Sequence, residues 1–143
     1  MKVVINAQYG GFGLSKEGYA RYCEIKGMPY WIEDDGKYAS LGIFTCWLVP
    51  KEERVEDLPD GKWFEMSMEE RVEHNKKHSA QTLYDRDIAR DDPALVQLVE
   101  EDAEKYAGRH ATLKVVEIPD NVQYEIAEYD GNEWVAEVHR TWS

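Results

Sequence analysis

Two short stretches of this sequence collect the residue types that hold phosphates, sugars and bases. In Tyr84-Asp85-Arg86-Asp87-Ile88-Ala89-Arg90-Asp91-Asp92-Pro93, Arg86 and Arg90 stand one helical turn apart, just ahead of a helix start. Their guanidiniums can fork onto a pyrophosphate, Asp91 or Asp92 can accept from ribose hydroxyls, and Tyr84 can stack on a base. The same charges also suit internal ion pairing around a helix cap. In Tyr9-Gly10-Gly11-Phe12-Gly13-Leu14-Ser15, glycines precede a capped helix. Backbone N–H groups at Gly10 and Gly11 can converge there on an anion, with Phe12 as a neighbouring aromatic face. The plainer reading of the glycines is a tight turn needing positive φ angles. The loop is not a Walker A motif, and it lacks the spacing of the dinucleotide fingerprint. Arg109, His110 and Lys114 form a further basic spot after the long helix, where cations suit the helix dipole.

Other chemistries find less support. His74 and His78 lie one turn apart, but Glu73 precedes the first histidine where a zinc protease needs the glutamate after it. A solvated helix face accounts for that segment, and no metal site is expected. Cys23 and Cys46 have neither zinc spacing nor the number for a disulfide framework, and read as core. No nucleophile elbow or Cys–His motif is present, so no catalytic residue is assigned.

The elements that must position these residues follow from local grammar. Val3-Val4-Ile5 marks a first strand over 1–6, and Ser15 caps a helix over 16–26 that stops at Gly27. Strands are expected over 29–32 and 41–49, a loop over 50–62, and a very polar helix over 68–79 behind the capping box Ser67-Met68-Glu69-Glu70. Asp92-Pro93 starts a helix whose apolar stripe runs through Leu95, Leu98, Val99 and Tyr106 to Gly108. A strand over 113–118 and a hairpin around Asp130-Gly131, over 123–129 and 133–139, complete the chain. The expectation is an α+β fold over 1–143 as a single domain. It has a small mixed, mainly antiparallel sheet, two or three helices and a C-terminal β-hairpin.

With 17 basic and 29 acidic residues in 143, the net charge is −12. Such a field opposes duplex DNA and anionic membranes, so a phosphorylated ligand must be gripped by a few local cations and N–H groups. The apolar runs are too short to span a bilayer, no secretory pattern follows Met1-Lys2, and the composition implies a reduced, intracellular domain. The basic tail His139-Arg140-Thr141-Trp142 suits a neighbouring chain or a ligand, or is simply a fraying end.

Taken in order, Met1–Asn6 with Tyr9–Ser15, Tyr84–Ile88 with Arg90–Pro93 and Leu95–Glu101, then Leu113–Asp120, Tyr129-Asp130-Gly131 and His139–Trp142 resemble a family of small phage and prophage proteins. The stretch 29–82 carries no part of the resemblance. That family is similar to the first-described class of Thoeris anti-defence proteins. The resemblance implies a sponge that binds a cyclic ADP-ribose isomer and sequesters it uncleaved. It also implies separate sites for cyclic di- or trinucleotides, a dimer or assembly of dimers, no cofactor, and residence in the cytoplasm of an infected bacterium. The resemblance supplies no ligand contacts. By their chemistry, Tyr84 or Phe12 is expected to stack on a base, Arg86, Arg90, Arg109 and Lys114 to hold phosphates, and Asp91 or Asp92 to hold ribose hydroxyls. The acidity leaves a second reading, a DNA mimic that inhibits a host protein, although lysines and arginines interrupt the acidic segments. A magnesium-dependent nucleotide hydrolase and a phage assembly factor are further alternatives.

Overall fold

Val3, Val4 and Ile5 are β-branched, and all are buried in strand β1 (Lys2–Asn6). β1 pairs antiparallel with β5 (Leu113–Glu117), Val3 opposite Val116 and Asn6 opposite Leu113. The computed structural model describes residues 1–55, 58 and 61–138. The tail His139–Trp142, and with it the expected end of the last strand, lies outside the described residues.

Two helices supply the apolar surface that this strand pair needs. Helix α1 (Lys16–Lys26) begins where the Ser15 hydroxyl accepts from Gly18 N–H, and ends at Gly27 in the left-handed conformation. Helix α4 (Pro93–Tyr106) begins at Asp92, whose carboxylate accepts from Ala94 N–H at 2.8 Å. Its stripe of Leu95, Val96, Leu98 and Val99 is buried, as are Tyr19, Tyr22 and Cys23 on α1. α4 packs against α1, β1 and β5. Asp102 interrupts the helical backbone of α4, and its carboxylate then caps the final turn by accepting from Lys105 N–H at 3.1 Å. Strands β6 (Tyr124–Tyr129) and β7 (Asn132–Glu137) form the hairpin expected around Asp130-Gly131, and β7 lies against β1.

Among the described residues these elements make one compact unit, residues 1–27 and 85–138, and those of 28–84 make a second. The second unit holds the antiparallel sheet β2–β3–β4 (Trp31–Asp34, Phe44–Trp47, Thr82–Leu83) and helices α2 (Lys62–Glu65) and α3 (Met68–Gln81). The strand expected over 41–49 spans Phe44–Trp47, and it starts late because Gly42 turns left-handed after a 3₁₀ turn at Ala39–Leu41. Lys51–Glu53 is a 3₁₀ turn and α2 a helix, both in the stretch expected as loop.

The fold is thus α+β, with antiparallel strands and a C-terminal hairpin. Its strands form separate two-, three- and two-stranded sheets, not one mixed sheet. No helix among the described residues is long and apolar enough to cross a membrane.

Candidate functional site: three turns joined by Asn6

Asn6 ends β1 with its side chain fully buried, so each of its polar atoms needs a partner. Nδ2 donates to the carbonyls of Gln8 (2.8 Å) and Gly131 (2.7 Å), and Oδ1 accepts from Thr112 N–H (2.9 Å). One amide therefore ties together the glycine loop after β1, the turn before β5 and the tip of the β6–β7 hairpin. Ala7 N–H to Thr112 O at 2.8 Å and Gly10 N–H to Asp130 O at 3.0 Å add main-chain links between the same turns. The approach is close enough to need glycine. A Cβ on Gly10, whose φ is +121°, would meet the His110 carbonyl at 2.8 Å, and one on Gly131 would overlap the backbone of Gly11.

Beneath these turns lies a second network. Arg90 lays its guanidinium over the Phe12 ring, 3.7 Å from the centroid, and forks onto Glu133 at 2.6 and 2.9 Å. The same guanidinium donates to the Val4 carbonyl, and Glu133 also accepts from Asn6 N–H at 2.8 Å. Both members of the ion pair are largely shielded, with 20% and 10% of their side chains exposed. In such a setting a charge-assisted fork is strong, and removing one partner strands the other.

The structure gives several of the predicted residues partners within the chain. The Gly10 N–H is bonded to Asp130, and the N–H that closes the loop, Leu14, is given to the buried Asp85 carboxylate at 3.0 Å. The carboxylate beside this loop is thus Asp85, and within the loop Gly10 is the glycine that close packing of the turns requires. Arg90 is an ion-pair partner of Glu133, with Phe12 as its stacking surface. Asp92 is a cap: besides Ala94 N–H, it accepts from the Tyr22 hydroxyl at 2.9 Å and pairs with Lys26 at 3.1 Å. Burial opposes its ionisation, yet the Tyr22, Ala94 and Lys26 hydrogen bonds outweigh that and hold the carboxyl below its ordinary range. Burial, and then the hydrogen bond to Asp92, push the Tyr22 hydroxyl well above its ordinary value.

The remaining predicted residues stand on different elements. Asp91 lines an open groove of about 630 Å³ with Lys2, Pro93, Val96 and Gln97, where Lys2 pairs with Glu100 at 3.1 Å. Arg86 is exposed in a 3₁₀ turn, and Lys114 is exposed on β5. Arg109 and His110 are exposed at the corners of the turn closed by Ala111 N–H to Gly108 O at 3.0 Å. Tyr84, half exposed, is the last residue of the second unit. Among the described residues no group of three or more His, Cys, Asp or Glu is placed to hold a metal ion.

Asn6, Asp85 and Glu133 were not singled out by sequence. The one available signal was Asn6, a polar residue ending an apolar strand; the partners of Asp85 and Glu133 are distant in the chain. No family model, curated protein or solved structure matches this chain.

Proposed function

We propose that this protein is a binder that captures a cyclic ADP-ribose-type nucleotide signal and withholds it uncleaved, as an anti-defence sponge of phage origin. In this reading it acts as a homo-oligomer in the cytoplasm of the infected bacterium, with cyclic di- or trinucleotides as further ligands. The supporting observation is how the motif-bearing segments assemble. Within the described residues, the segments that carry the phage-family resemblance fall in the unit of residues 1–27 and 85–138, Tyr84 excepted. Loops more than a hundred positions apart meet there on one buried asparagine. A preformed cluster of turns lowers the ordering cost of ligand capture, which matters when a nanomolar sponge must supply about 12 kcal/mol of binding free energy.

The test is a depletion assay. Purified full-length protein is mixed with cyclic ADP-ribose, filtered, and the filtrate and the heat-released fraction are analysed by mass. The expected result is loss of the nucleotide from the filtrate and its return at unchanged mass. A linear or hydrolysed product in the released fraction overturns the sponge reading in favour of an enzyme.

A further inference from the structure

The three turns joined by Asn6 display side chains that their packing does not explain. Tyr9 and Tyr129 meet edge to face, ring centroids 6.5 Å apart and planes at 76°. Yet they remain 65% and 67% exposed, so the contact hides little of either ring. Trp134, 48% exposed, lies on the same face of the hairpin as Tyr129, because it pairs with Ala127 two residues away. On the other side of the glycine loop the backbone and Cβ of His110 abut Gly10, and Arg109 and His110 are exposed on one turn. Exposed aromatic faces, a guanidinium and an imidazole thus stand on turns that meet at Gly10 and Asn6.

We infer that the Tyr9–Tyr129 corner is a nucleobase-stacking site, with Arg109 and His110 holding the phosphate of the same ligand. The inference rests on the proposed nucleotide-binding function and gives it a location. Two rings set nearly at right angles form a corner in which a base lies flat on one face and meets the other ring with its edge. Stacking of this kind takes any base, because every base has a π-face. The exposed Asp130 carboxylate at the same tip is suited to a sugar hydroxyl. The site differs from the one expected from sequence in its aromatic partner. Phe12 is already stacked with Arg90, whereas Tyr9 and Tyr129 present open faces. Gly10 and Gly131 allow the turns to approach closely enough to bring the rings together, and Asn6 fixes the approach.

Calorimetric titration of the full chain with cyclic ADP-ribose, ADP-ribose and inorganic pyrophosphate tests this. Wild-type protein is expected to bind both nucleotides. Tyr129→Leu and Tyr9→Leu should each weaken them by about 10-fold, while Tyr129→Phe stays within about 2-fold. Pyrophosphate affinity should not respond to the tyrosines. Arg109→Ala should weaken all three probes and flatten their dependence on salt. Nucleotide binding that is unchanged in both leucine variants overturns the stacking site and leaves the sponge reading standing. An equal loss for pyrophosphate also overturns it, since the effect is then structural. Failure of the wild type to bind either nucleotide overturns both. The exposure of the two rings predicts unchanged thermal midpoints in these variants; if Tyr129→Leu does not fold, the Tyr9→Leu titration decides.

Discussion

Residues 1–27 with 85–138 and residues 28–84 hold themselves together by different chemistry. In the first, α4 buries Leu95, Leu98 and Val99 against Val3, Val4 and the tyrosines of α1, and the polar groups at its margin are paired in shielded networks. In the second, Cys46 is the one described side chain that is buried, and α3 buries none. Order there comes from tryptophans with cations and imidazoles against them. Arg54 lies over Trp47 at 4.7 Å and pairs with Glu33, and His78 meets the same indole edge-on at 5.3 Å. Arg71 lies over Trp63 at 5.4 Å, and His74 meets that ring at 6.2 Å. Cation–π contacts at such sites contribute about 0.5–2 kcal/mol each, whereas a fully buried leucine contributes more, with no polar group to satisfy. The contrast teaches that a strongly charged chain concentrates its aliphatic residues in one place and leaves the rest to amphipathic stacking.

The largest expected effect lies in the aliphatic core. Leu98 is fully buried, so Leu98→Ala should destabilise the protein by about 3 kcal/mol through lost transfer energy and the cavity left behind. Urea unfolding measures it, and a loss below about 1 kcal/mol would break the assignment of this unit as the core.

Next come the two arginine–glutamate pairs, which set one unit against the other. Glu133→Gln leaves Arg90 shielded without its counter-charge, and should cost about 3 kcal/mol. Arg54 is as shielded as Arg90, with 10% of its side chain exposed, but Glu33 is 48% exposed against 10% for Glu133. Its ion pair therefore forms at the edge of solvent, and Glu33→Gln should cost less, about 1 kcal/mol. Equal losses in the two variants would mean that the units are not organised differently after all.

Much of this contrast was readable from the chain, and the part that was not has a common cause. Ser15 and Gly27 bracket α1, Asp92-Pro93 starts α4, Ser67 caps α3 and Asp130-Gly131 turns the hairpin, because caps and turns depend on neighbours within four residues. The strand expected over 41–49 forms over Phe44–Trp47, and its late start has a local signal in Gly42, just ahead of the apolar run. The partners of Arg90 and Asp92 are not legible in the sequence, because Glu133 and Tyr22 are 43 and 70 positions away. A guanidinium ready for phosphate and one committed to a glutamate look identical in sequence. Asn6 is silent in the sequence for the same reason, since its value lies in the three turns that only the fold brings together.

A smaller effect is expected at Asp92, and it depends on pH. As an N-cap its removal in Asp92→Ala should cost about 1 kcal/mol near neutral pH. Its folded-state pKa is lowered, so its stabilisation is present above the unfolded carboxylate range of about 4 and is lost as pH falls through the folded value. The difference between wild type and Asp92→Ala should therefore shrink on acidification below about pH 4. A difference that grows in acid would contradict the direction of the shift. Tyr22, with its pKa raised, acts at the other end: its contribution is full below about pH 10 and fades as pH rises beyond that, visible as a late phenolate absorbance.

The smallest effect should come from the second unit's helix face. Met68 and Val72 stand one turn apart on α3, a spacing that by itself reads as a core-facing stripe, yet they are 79% and 61% exposed. A side chain already in water loses no burial when it is shortened, and alanine is the better helix former, so Val72→Ala should change stability by less than about 0.5 kcal/mol. This is the most discriminating measurement for the comparison, because the two units predict opposite outcomes for the same spacing pattern. On α4, residues one turn apart such as Leu95 and Val99 are buried, and their truncation is felt. A cost above about 1 kcal/mol at Val72 would mean that this face is covered in solution. The aliphatic surface of the second unit would then belong to an interface, and its apparent reliance on tryptophan stacking would describe the isolated chain alone.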